Sequence, residues 1–485
     1  MVLAYNMKLP GIYILYALIM GIFGQSIFAI HLGLLIFNSA ATVLIFLMTR
    51  RLAGDMAAVV AALVYALMSM SPSVLGTSAH ATQFLVPFAI GGIFLLLKAI
   101  DQRKTWMLIT VGLFLGTAFI VKQHAVFFIL FAVLYYFYRM KKAALTIKET
   151  FIKTTLLIIF SALPFVIVCG WLFLAGVFPA FWFWTFTYSS QYISLISIPD
   201  AYKPFMFAFW TIIYPWRLIW IIAGIGLSSV LWNEKSRTHW VFLAGFSAFS
   251  FFTICPGFFF RNHYFITLLP AVSMLAGIAV STSMTFLSQR FSPYLKAVPV
   301  LFIIVALAFP SFQHIRFFRA DPVTATRMIY SYANPFTESL AVAEYIRNHS
   351  SETDTVAVIG SEPQIYFYAN RKSATGYIYV YSLMEPQAYA LKMQKEMIGE
   401  IESAKPRYIV FVNANLSWLV RHNSNRHIII WAEQYLKEHY LLRGVISNTP
   451  NAVLKTNLNP QDFKPIGNNI LVVLERNRQG DIHVR

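Results

Sequence analysis

Along the first 311 positions apolar residues do not alternate with polar ones but run on in blocks, broken by short polar or basic turns. The block from Leu156 to Leu174 has the length of a membrane span, for which about 20 apolar residues suffice. Ten spans are predicted, near 27-48, 56-73, 82-100, 105-121, 124-138, 154-177, 214-232, 239-255, 264-285 and 295-311. Residues 10-24 and 178-205 are apolar or aromatic without a clean span, and suit helices lying at a membrane surface. Beyond residue 311 the apolar runs shorten to strand length (355-360, 408-412, 470-474) and alternate with amphipathic stretches near 336-349, 384-403 and 428-440. The expected fold is a polytopic α-helical membrane protein with a C-terminal α/β domain. Its expected parts are a juxtamembrane segment at 1-24, the spans at 25-311 with an aromatic loop near 178-213, and the α/β domain at 312-485.

Composition agrees with that pattern. Only 12% of the 485 residues are charged and 58% are hydrophobic, against about 25% charged in soluble proteins. The formal charge of +18 arises mainly before residue 312, where 19 Lys/Arg meet 5 Asp/Glu. Most of these cations fall in alternate loops: Arg50-Arg51, Lys98 to Lys104, Arg139 to Lys153, Lys235-Arg237 and Arg290-Lys296. The positive-inside rule makes those loops cytoplasmic. The opposite turns, and with them the C-terminal domain, are then extracytoplasmic. The soluble part has no basic stripe with interleaved aromatics, so no nucleic-acid partner is expected. No phosphate-binding glycine loop of the nucleotide type occurs. Cys169 and Cys255, both in apolar surroundings, cannot build a disulfide scaffold or zinc cluster.

Candidate chemistry sits in the external turns. Lys8, just before Pro10, places an ammonium where a lipid phosphate would lie, or merely snorkels to the interface. Arg261, in Pro256-Gly257-Phe258-Phe259-Phe260-Arg261-Asn262-His263-Tyr264, offers a planar fork to a phosphate or to ordinary anionic lipid. His263 and Tyr264 can bond a sugar hydroxyl. Lys122 and His124 share a very short turn, and His80 opens a span that it can cap or leave for a cavity. The aromatic run 181-188 suits sugar stacking or an interfacial belt. Acids are scarce: Asp200 is the only one of the membrane part expected outside, either as a proton acceptor or as a turn residue. His80, His124 and His263 stand singly without an external carboxylate, so no metal or other cofactor is expected.

The order Lys8-x-Pro10, Arg50-Arg51-Leu52, the Lys122 turn, and Arg261-x-His263-Tyr264-Phe265 followed by Pro270 resembles the GT-C glycosyltransferases. Within them it is most similar to family-39-like enzymes: protein mannosyltransferases, lipid A aminoarabinose transferases and rhizobial lipopolysaccharide-core galacturonosyltransferases. Ser361 to Tyr368 and Arg371 resemble their C-terminal domain. The resemblance implies a bacterial inner-membrane enzyme, acting on the periplasmic side with a polyprenyl-phosphate sugar donor and a glycan, lipid or protein acceptor among membrane lipids. It assigns Lys8 to the donor phosphate and Arg261 with Tyr264 to the loop beside it. The family's base is an Asp in the first external loop, upstream of the lysine motif. By that comparison the chain lacks the first span and its catalytic acidic loop, and Met7 stands where aminoarabinose transferases have Glu. A lipid-linked-sugar flippase and an inactive glycan-binding relative are the alternatives.

Overall fold

The computed structural model describes residues 5–143, 146–449, 452–456 and 470–477. The chain forms two compact units, one of Met7–Arg316 and one joining the N-terminal residues up to Asn6 with Phe317 onward.

The first unit is a helical bundle. Among the described residues six helices are long and apolar enough to cross a membrane: Ile27–Ala53, Ala81–Gln102, Gln123–Lys142, Ile147–Leu174, Leu269–Arg290 and Pro293–Arg319. Pro199–Ile213 and Arg217–Leu231 form one more candidate span, bent by 100°. Three predicted spans are shorter helices, Asp55–Ser69, Thr105–Val121 and Trp240–Phe252. Pro10–Phe23 is a further apolar helix, started by its proline at the first turn. Small residues let these helices approach closely. A Cβ on Gly226 would stand 1.9 Å from the Leu275 carbonyl oxygen, and one on Gly277 2.1 Å from that of Ala57.

The bundle's ends differ in charge. Arg50 pairs with Asp55 at 2.5 Å, and Arg51 pairs with Asp101. His239 lies in the field of Arg51, Arg139 and Lys235, which gathers the basic loops at one end. Because Asp101 closes the Ala81–Gln102 helix there, His80, just before that helix, is at the other end.

The second unit carries a six-stranded sheet. Its strands are β1 (Thr355–Ile359), β2 (Lys372–Ser373), β3 (Tyr408–Asn413), β4 (Tyr440–Ser447), β5 (Lys455–Thr456) and β6 (Ile470–Arg476). They lie in the order β2-β1-β3-β6-β4-β5. β1 is parallel to β2 and β3, whereas β6 is antiparallel to β3 and β4. The helix Glu338–His349 leads into β1, and Gln364–Ala369 and Ala390–Ala404 lie in the connections between the parallel strands, giving the α/β pattern expected from strand-length runs. The Ser361-to-Tyr368 stretch is the turn from β1 into the Gln364–Ala369 helix, with Tyr366 buried and accepting a hydrogen bond from the Val358 N–H at 2.8 Å. Arg371 is also buried, donating to the carbonyls of Arg347, Ser350, Ala369 and Asn370. Tyr5 donates to Glu400 Oε1 at 2.9 Å, and its N–H to the Gly376 carbonyl at 2.9 Å. Glu400 Oε2 in turn accepts from Thr375 and from the Gly376 N–H.

Candidate functional site: a cluster of lysine, histidine and tyrosine

The end of the bundle bearing His80 gathers residues from four separate turns. Gly11 makes the first junction. Without a side chain, it rests on the Ile120–Val121 backbone, so the entry to the Pro10–Phe23 helix lies against the end of the Thr105–Val121 helix. Gln123 Nε2 then donates to the Met7 carbonyl at 3.1 Å. Lys8 and Lys122 are thereby brought within electrostatic range of each other.

The other turns are fixed as firmly. His80 follows Ala79, which is buried in a left-handed conformation (φ 49°) and accepts a hydrogen bond from Tyr16 through its carbonyl. A non-glycine residue there is strained by roughly 1–3 kcal/mol, a cost met only where surroundings dictate it. Asn262 Nδ2 donates to the Ser73 carbonyl at 2.9 Å, tying the late loop to the turn ahead of His80. That late loop holds Gly257, Phe258 and Phe260 all at positive φ.

The expectation that His80 caps its helix is not met: it occupies the cap position, but its side chain makes no capping bond. Its ring instead stacks on His263, centroids 3.9 Å apart and planes 12° apart. Its Nε2 is buried without a hydrogen-bond partner. Lys122 lies over the Tyr264 ring, 4.2 Å from the centroid, a cation–π contact. The same ring meets His124 edge-on at 4.5 Å. His124 Nδ1 donates to the Thr253 carbonyl at 2.7 Å, which leaves Nε2 of the neutral ring as an acceptor. Arg261 is exposed at the margin, donating to the Tyr192 hydroxyl at 3.3 Å and lying over Phe259. Tyr16, Asn262, Thr253 and Tyr192 carry no sequence signal that marks them among so many aromatic and polar neighbours.

Five of the seven candidate binding residues thus share one knot, Lys8 acts on it electrostatically, and Arg261 rims it. Burial and then the Lys8 charge hold the Lys122 ammonium well below its ordinary pKa. Lys8 keeps access to solvent, yet the protein around it lowers its pKa too. Burial, Lys122 and Lys8 push His80 down to about 3. His263 is lowered as well, by burial first and then by His80, Lys122, His124 and Arg261. Every charged neighbour acting on these groups is cationic. Such a cluster favours an anion, which would relieve the repulsion and accept hydrogen bonds from the ammonium groups. Asp200 lies elsewhere, exposed on the Pro199–Ala201 turn, where Ser197 Oγ donates to it at 2.6 Å and Lys203 stands 3.9 Å away.

A helical bundle followed along the chain by an α/β unit is a fold shared with solved membrane proteins. The chain is structurally similar to ArnT from Cupriavidus metallidurans bound to undecaprenyl phosphate, at TM-score 0.53 and 12% identity over 84% of each chain. Against the apo form of that protein the TM-score is 0.54 at 11% identity, covering 97% of this chain and 88% of that one. It is also similar to the Archaeoglobus fulgidus oligosaccharyltransferase AglB in complex with an inhibitory peptide and a dolichol-phosphate, at TM-score 0.53 and 12% identity, over 98% of this chain and 69% of that one. The dolichyl-phosphate-mannose-protein mannosyltransferase family model matches residues 8–171. The family model covers about a third of the chain, and the solved structures, at 11–12% identity, show a shared fold. No curated protein matches in sequence.

Proposed function

We propose that the protein is a glycosyltransferase of the bacterial inner membrane, moving a sugar from a polyprenyl-phosphate donor to an extracytoplasmic acceptor such as lipopolysaccharide or another cell-envelope glycan. The observation that carries this reading is the buried Lys122 with His80 and His263, all lying in a field to which Lys8 or Arg261 adds further positive charge. The fold likeness to a protein solved with undecaprenyl phosphate supports it. The loop charges support a cytoplasmic basic end, and with it a periplasmic cluster and a periplasmic α/β domain at 312-485.

In this mechanism an acceptor hydroxyl oxygen bonds to the anomeric carbon while the bond from that carbon to the phosphate oxygen breaks. The electron pair leaves with the polyprenyl phosphate. Lys8 and Lys122 hold the phosphate as negative charge grows on its leaving oxygen, with Arg261 at the rim. Electrostatic stabilisation of this kind is worth about 3 kcal/mol per donor. His263, Tyr264, His124 and His80 line the place where sugar hydroxyls sit. The acceptor's proton passes to solvent water or to the departing phosphate, because Asp200 is held on its own exposed turn by Ser197 and Lys203.

Transfer is measured in proteoliposomes carrying a labelled polyprenyl-phosphate sugar and cell-envelope glycan acceptors. Label should move to the acceptor, and Lys8→Ala and Lys122→Ala should each slow transfer by about 100-fold at unchanged protein level. Donor that crosses the bilayer chemically intact, with no labelled acceptor, would make the protein a flippase instead.

A further inference from the structure

At the basic end of the bundle a cavity of about 250 Å³ opens between the ends of the Ile27–Ala53 and Leu269–Arg290 helices and the short Glu234–Thr238 helix. Its floor includes Leu52 and Ile278, and its polar wall is Asn233, Lys235, His239 and Ser281. The volume far exceeds what one water occupies, about 30 Å³. It falls short of the roughly 300–1,000 Å³ typical of pockets for whole drug-sized ligands. The fit is a headgroup rather than a nucleotide.

Of the polar lining, the Thr282 and Thr285 hydroxyls already donate to backbone carbonyls and Ser236 accepts from Ser229, which leaves Asn233, Lys235, His239 and Ser281 as donors still open. Asn233 Oδ1 already accepts from the Ser236 N–H at 2.9 Å, which leaves its NH₂ facing outward from that turn. Among the described residues Lys235 has no ion pair, and the side chains of His239 and Ser281 make no hydrogen bond. Asp55 and Asp101, the carboxylates gathered at this end, are engaged by Arg50 and Arg51. Glu234, on the short helix, is exposed and does not line the cavity. The charges facing His239 from the neighbouring elements are Arg51, Arg139 and Lys235. An oxyanion can accept from Lys235, the Asn233 NH₂, the Ser281 hydroxyl and a His239 ring N–H together, whereas a cation would be repelled by Lys235.

We propose that this cavity is a second phosphate site, distinct from the Lys8–Lys122 cluster, and that it holds the phosphate headgroup of a membrane phospholipid. The Arg217–Trp232 helix, which runs into Asn233 of the lining, presents Leu231, and the Leu269–Arg290 helix presents Phe286, 75% and 48% exposed, with Trp232 against Phe286. That apolar strip suits acyl chains descending from a headgroup seated on Lys235 and His239. A soluble phosphate would have no use for it. The site does not depend on the transferase reading.

The test uses the full-length protein in nanodiscs of phosphatidylcholine doped with phosphatidylglycerol, with native mass spectrometry counting retained phosphatidylglycerol. Lys235→Gln should lower retention by about tenfold, the scale of one charge-assisted hydrogen bond. Lys235→Arg, and Lys104→Gln at the same end but off the cavity, should retain it. Ser281→Ala, a smaller loss of donors, should give a partial drop and serves if Lys235→Gln does not fold. Equal retention by Lys235→Gln, Ser281→Ala and the parent protein would overturn the proposal. So would binding of inorganic phosphate that depends on Lys235 while phosphatidylglycerol is not retained, since the occupant would then be a soluble anion.

Discussion

Replacing Gly11 by alanine tests whether Lys8 is placed by close backbone packing. A Cβ at Gly11 would stand 2.5 Å from the Ile120 carbonyl oxygen, 2.6 Å from its carbon and 2.8 Å from the Val121 nitrogen. Ordinary contact begins near 3.5 Å, and the obstacle is backbone, so the helix entry must retreat by on the order of 1 Å. Overpacking of this kind costs about 1–3 kcal/mol. A displacement near 1 Å at a binding group can cost on the order of 100-fold in rate. Gly21 supplies the control on the same helix: nothing stands within 4 Å of its Cβ position. Gly21→Ala should stabilise the helix by about 0.5–1 kcal/mol. The assay pairs thermal unfolding of detergent-purified protein with polyprenyl-phosphate binding. Gly11→Ala should unfold a few degrees lower and bind the phosphate more weakly, while Gly21→Ala should unfold slightly higher and bind normally. Refutation would come from Gly11→Ala unfolding and binding like the parent, because the helix entry would then have no role in setting Lys8.

Donor binding should depend on pH in a definite direction. In the free protein Lys122 and Lys8 have lowered pKa values, and a bound phosphate raises them, so binding takes up protons between the free and bound values. Affinity should fall as pH rises through that window, and Lys122→Ala should flatten the profile; isothermal titration at a series of pH values checks it. In the second unit, Glu362 is buried against Ser417 with its carboxyl raised to about 7. Because the folded state holds this proton more tightly than the unfolded one, stability should fall from about pH 4.5 to 7 by roughly 3 kcal/mol. Glu362→Gln should remove that slope in melting curves taken at pH 5 and pH 8. Arg327 binds the buried Glu338 and donates to Asn448 Oδ1 at 3.0 Å. Arg327→Ala should destabilise the second unit by about 3–5 kcal/mol, the cost of leaving a buried carboxylate alone, read by differential scanning calorimetry.

The helical bundle was legible because block length alone distinguishes a span from a strand, and all ten predicted spans fall on helices. Their ends were less so. Trp240–Phe252 stops short of the predicted 239-255 because Thr253 turns its hydroxyl back to the Ser250 carbonyl and the chain breaks at Pro256–Phe258. Pro293–Arg319 runs past the predicted end at 311, since the polar residues Gln313, His314 and Arg316 do not interrupt a helix that Pro310 already tolerates. In the candidate site each polar residue could be singled out by its place in an external turn. Their convergence could not. His80 looked like a cap because the residue ahead of a helix usually caps it, whereas Ala79's left-handed backbone turns the ring toward His263. Tyr16, which holds that backbone, is one of 25 tyrosines and has no mark in the sequence.

The bond from Tyr5 to Glu400 spans 395 positions of sequence. At roughly 5–20 residues per second of synthesis, the tyrosine waits roughly 20 to 80 s for its partner. Every helix from Pro10–Phe23 to Pro293–Arg319 is made in that interval. The Tyr5 segment therefore joins the sheet-bearing unit only after every one of those helices has been made, so this unit is assembled from stretches of chain that synthesis keeps far apart in time.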